Sequence, residues 1–107
     1  MMISTMEQMP HIKIKKVLGI VEGNTIRARS VGRDIMAGLK NLVGGEIEEY
    51  TKLMAESREQ ALDRMIQSAE ELGANAVFGV KFSTSYIMSG AAEILAYGTA
   101  VIMEESK

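Results

Sequence analysis

The chain has 107 residues, enough for one domain spanning 1–107 but short enough that each buried apolar face counts. Hydrophobic residues at 47%, charged residues at 24% and a net charge of −2 are ordinary for a globular protein, and they exclude broad attraction to nucleic acid or an anionic membrane. Zero cysteines exclude disulfides, thiolate metal sites and cysteine nucleophiles; with no signal-like start and no apolar run of about 18–20 residues, a soluble cytoplasmic protein is expected.

In chain order, Ile3 and Thr5 suit a short edge strand over residues 2–5, which Pro10 separates from the next strand. Residues 12–28, "IKIKKVLGIVEGNTIRA", are rich in β-branched side chains and predict one bent strand or two short ones, with Gly23-Asn24 as the bend or bulge. The alternating lysines Lys13, Lys15 and Lys16 suit an exposed or edge strand better than a nucleic-acid site.

The glycine-rich stretch "GRDIMAGLKNLVGGE" then raises the question of a phosphate loop. Five residues separate Gly38 from Gly44, Gly45 stands where a P-loop needs lysine, and no G-x-G occurs, so neither phosphate motif fits. Ile35, Leu39, Leu42 and Val43 instead recur at helical spacing and predict a short helix over 31–43, with Ser30 as its cap and Gly44-Gly45 as its end.

A longer helix is predicted over 46–72, with Ile47, Tyr50, Met54, Ala61, Met65, Ala69 and Leu72 along one stripe and Leu72-Gly73 as its stop. Glu48 with Lys52 and Lys52 with Glu56 are oppositely charged pairs that solvate the other side. "GANAVFGVKF" predicts a strand with Phe78, Val80 and Phe82 on one face and Val77, Gly79 and Lys81 on the other, and Met88-Ser89-Gly90 predicts a hairpin turn. The last strand, over 91–103, is apolar on both alternating faces and therefore reads as central and buried. One long helix covers one face of a sheet, so something else must cover the second.

"VLGIVEG", "RDIMAGLKNLVGG" followed by Tyr50, "LGANAVFGV" and "LAYGTAV" occur in the order and spacing of the YbjQ family, small bacterial and archaeal proteins labelled as heavy-metal-binding, which the chain resembles over nearly its whole length. The resemblance implies an α+β fold: a dodecin-like β-α-β-β unit whose antiparallel sheet, last strand central, packs on one long and one short helix and assembles as a ring of five. Many relatives have an acid where this chain has Ser83. The residues support the metal label poorly, since soft and borderline ions favour thiolate and imidazole and the chain has only His11.

The leading functional expectation is a non-catalytic homo-oligomer, a pentamer by the resemblance, that binds an unidentified small molecule or acts as a scaffold. Arg33, Asp34, Tyr50 and Arg58 are the candidate ligand-binding group, because pockets combine apolar walls with a few polar anchors. Metal binding or sensing is the alternative that the family label suggests. An enzyme for a small anionic substrate, with Arg58 holding the anion and Glu56 as base, ranks lower because no catalytic spacing singles them out. No catalytic or metal residue and no cofactor is assigned, and the expected partner is the chain itself. Wet Leu95, Tyr97, Val101 and Met103 would each forfeit about 1.5–3 kcal/mol, and a helix about 40 Å long exceeds a lone domain of this size; both argue for assembly.

Overall fold

A computed structural model of the chain describes residues 1–27, 45–88 and 91–105, with side-chain surroundings for 1–26, 54–85 and 92–105. The elements are β1 (Met2–Ile3), β2 (Ile12–Arg27), α1 (Gly45–Glu71), β3 (Ala76–Met88) and β4 (Ala91–Glu105). They form an α+β unit, a four-stranded sheet in the order β1-β3-β4-β2 with α1 laid across β2 and β4. β4 is central, as its two apolar faces require. The short helix expected over 31–43 and the turn residues Ser89 and Gly90 lie outside the described residues, and Met88 pairs with Ala91 on either side of the latter two.

The sheet is mixed, where an antiparallel one was expected. β2 and β3 run antiparallel to β4, but β1 pairs parallel with β3, Met2 opposite Ala76 and Ile3 opposite Val77. The reason lies in the path of the N-terminal segment. β1 and β2 occupy opposite edges of the sheet, and Met9, between them, packs on Ala76, Phe78 and Val101, so the segment crosses the sheet on the side away from α1. Its backbone is held against β3 by Ser4 N–H to Val77 O, Val80 N–H to Ser4 O and Gly79 N–H to Met6 O, each 3.0 Å.

α1 ends as the Leu72-Gly73 pair predicts. Gly73, at φ +85°, donates to Glu70 O (3.0 Å) while Ala74 donates to Ala69 O (3.0 Å), the paired hydrogen bonds of a Schellman stop that a glycine adopts without a Cβ clash. Along the predicted stripe, Ala61, Met65 and Ala69 are completely buried and Met54 packs at the edge of the core. Leu72 departs from it at 50% exposure, lying past the helix's last residue in the turn that leads into β3.

Two strand expectations are corrected by bulges. In β3, the pairing steps from Phe78 opposite Thr99 to Lys81 opposite Tyr97, so Gly79 and Val80 together oppose Gly98. Gly79 has φ +66°, and the extra residue puts Val77 and Val80 on the helix side while sending Phe78 to the other face. Phe78 and Val80 therefore do not share a face. In β2, the ladder passes Gly23 and Asn24 without interruption, opposite Ala96 and Leu95; the register shifts lie between Ile14 and Lys16 and between Val17 and Gly19. Gly23 has a different purpose. A Cβ there would overlap Ala61 O and Met65 N of α1, so its missing side chain is what lets helix and strand backbones touch.

Candidate functional site

The sheet's two faces have different fates. On the helix side, Val21, Val77, Val80, Ile94, Ala96 and Ala100 join Ala61, Met65 and Ala69 in the main core. Thr25, also buried, donates its hydroxyl to Ser57 O at 3.1 Å, which satisfies a polar group under the helix. On the opposite, outer face, the N-terminal segment covers only one end.

The rest of the outer face is an open apolar groove of about 420 Å³. The two extra residues of β2, Lys15 and Leu18, convert its alternation into steps of three, so that Ile14, Val17 and Ile20 stand opposite Met103, Val101 and Thr99 on this face. Val17 is 62% and Ile20 80% exposed, and beyond the polar Glu22 and Asn24 on the same face Ile26 is 56% exposed. Phe78 and Val101 form the floor, and Glu7, Lys81 and Tyr97 supply polar groups at the walls. Such a surface can bury apolar matter and hold it with few directed contacts.

Of the expected ligand-binding group, only the side chain of Arg58 falls among the described ones. Arg33 and Asp34 lie outside them. Tyr50 and Arg58 are both on α1, eight residues apart, about 12 Å along the axis, and Arg58 is exposed. Glu56 and Arg58, the pair of the enzyme alternative, are both exposed and two positions apart on the helix, which points them away from one another. Ser83 sits exposed on β3 opposite Leu95.

His11 is exposed at φ +63° in the turn that Ile12 N–H closes onto Met9 O at 3.3 Å. Among the described residues no three His, Asp or Glu side chains are grouped to hold an ion. For a borderline divalent ion, which calls for imidazole and thiolate, the donor set of the single chain does not fit. The outer groove itself was legible only in part: the two-sided apolar character of β4 signalled it, whereas the β2 contribution was hidden by its spacing of three.

Over residues 1–104 the chain matches the YbjQ family model, described as "Putative heavy-metal-binding". The chain belongs to the YbjQ family. Among YbjQ relatives, a UPF0145 protein of Archaeoglobus fulgidus is 59% identical over 99 residues, covering 92% of each chain. UPF0145 proteins of Thermotoga maritima and Thermus thermophilus are 54% and 49% identical, covering 98% and 99% of this chain and 99% and 93% of their own. A crystal structure of a DUF74-family protein of unknown function from Pediococcus pentosaceus aligns at a TM-score of 0.65 over 97% of this YbjQ chain and 98% of its own, with 17% identity, and so shares the fold. No helix among the described residues is long and apolar enough to cross a membrane.

Proposed function

We propose that the chain is a non-catalytic subunit of a homo-oligomeric binding or scaffold protein, a dodecin-like ring of five in keeping with the family resemblance. The observation that carries this reading is the exposure of the apolar residues Val17, Ile20 and Ile26 on the outer face, opposite the face on which α1 packs. Surface area supports it. The chain exposes 7310 Å², against about 5,900 Å² for a compact monomer of its mass, an excess of about 1,400 Å². A standard interface takes about 800 Å² from each partner, so the excess is close to what two neighbours in a ring remove. The radius of gyration, 17.4 Å, likewise exceeds the roughly 13 Å of a compact chain of this length.

Within such an assembly, the groove beside Glu7, Lys81 and Tyr97 is the place where a small molecule would be held between subunits. Light scattering at micromolar concentration is expected to give several times 11.7 kDa, near fivefold. Ile20→Lys is expected to reduce that mass while the far-ultraviolet circular dichroism persists. A wild-type chain that stays folded at the subunit mass throughout the micromolar range would overturn the proposal.

A further inference from the structure

The two sides of the sheet end differently. On β2, Ser68 and Arg64 of α1 donate to the carbonyls of Glu22 and Asn24, so these two backbone positions face away from β4 and are capped by the helix. In an antiparallel ladder, opposed residues turn their N–H and C=O groups either toward each other or both away. Tyr97 and Leu95, opposite Glu22 and Asn24, therefore face β3, where they meet Lys81 and Ser83. Alternation then turns the backbone groups of Phe82, Thr84 and Tyr86 off the far edge of β3. β1 and the segment after it bond to β3 only as far as Val80, and among the described residues no strand lies beyond residues 82–86. Phe82, Ser83, Thr84 and Ser85 are exposed, Phe82 at 47%.

We propose that this edge pairs with the same edge of a second copy, antiparallel and about a two-fold axis at Thr84. The sequence itself names that occupant. Residues 82–86 read Phe-Ser-Thr-Ser-Tyr, symmetric in residue type about Thr84. A two-fold there sets Phe82 opposite position 86 of the second copy, Ser83 opposite position 85 and Thr84 opposite itself, matching aromatic with aromatic and hydroxyl with hydroxyl as stable antiparallel pairs do. In the same register the outward N–H and C=O groups of positions 82, 84 and 86 meet one another as hydrogen-bonded pairs. The usual devices that blunt an edge are missing: residues 82–86 contain no charge, proline or glycine, and their register with β4 is unbroken from Lys81 to Tyr86. This contact uses the sheet's edge and not its outer face, so it is independent of the assembly proposed above.

The test is amide hydrogen exchange of the full chain at micromolar and at near-millimolar concentration. The amides of Phe82, Thr84 and Tyr86 are expected to exchange at least about 10-fold more slowly at the higher concentration, by mass action, while those of Ser83 and Ser85, turned toward β4, do not change. Thr84→Pro removes an N–H that faces off an edge strand, where proline is tolerated. It is expected to keep the far-ultraviolet circular dichroism and to abolish the concentration dependence at 82 and 86. Thr84→Cys, in a chain with no other cysteine, is expected to give a covalent dimer on mild oxidation, because opposed Cα atoms lie about 5.5 Å apart, within a disulfide's reach. Glu59→Cys, exposed on α1, is expected not to. Ile20→Lys is expected to leave the Thr84→Cys cross-link in place, which separates failure of this contact from failure of the outer-face one. Free exchange of the three amides at every concentration would overturn the pairing, as would their protection in a chain that light scattering shows to be a monomer. So would a Thr84→Cys chain that stays unlinked, or one that links to Asn24→Cys in preference to itself, which would make β2 the occupant.

Discussion

The two faces of one sheet show how differently the same apolar chemistry is settled. Under α1, small residues dominate: Ala61, Ala69, Ala96 and Ala100 are all fully buried, and Gly23 removes even the Cβ between strand and helix. Close backbone approach lets modest side chains fill the space. On the outer face the residues Val17, Ile20 and Ile26 are exposed, and among the described residues nothing packs over them. Most of the inner face near α1 is buried, whereas the outer face keeps these large apolar residues exposed.

Four changes put this contrast at risk, in order of effect. Gly23→Ala is expected to destabilise by about 4 kcal/mol, above the usual cost of overpacking, because the added methyl meets helix backbone and not a movable side chain. Urea unfolding measures it, and a loss below about 1 kcal/mol would mean that α1 does not sit so closely on β2. Met65→Ala, at a fully buried position, is expected to cost about 3 kcal/mol by the same measurement through the cavity it leaves.

On the outer face the expected signature is different in kind. The melting temperature of the wild type should rise with protein concentration, as it does for any fold stabilised by association, and Ile20→Ser should flatten that dependence with little change at the lowest concentration. A concentration-independent wild type would put the two faces on the same footing. Smallest of all, Lys15→Ala breaks an exposed 3.5 Å ion pair with Glu104 and should change stability by less than about 0.5 kcal/mol.

Much of the inner face was legible in sequence because helical periodicity is local. The Ala61, Met65 and Ala69 stripe and the Leu72-Gly73 stop needed no knowledge of the sheet. The centrality of β4 followed from its two apolar faces. Bulges were not legible: one extra residue at Gly79 puts Phe78 and Val80 on opposite faces, and a strand pattern read with a period of two has no means of registering it. Gly23 looked like a bend for the same reason, since its contact is with a helix about 40 positions later in the chain. The polar group at Arg33, Asp34, Tyr50 and Arg58 rested on residue type without a spacing that forces convergence, and three of its four side chains lie outside the described ones.

The paired irregularities in β2 also bear on what this chain avoids. β2 is a 16-residue edge strand, long enough to recruit other strands without limit. Its register breaks twice within six positions, at Lys15 and Leu18, and each break twists the strand and interrupts the row of backbone groups that an incoming strand would read. Lysines stand at 13, 15 and 16 along that same stretch. An edge that is kinked and charged, with no described strand beyond it, discourages growth into an open-ended fibre.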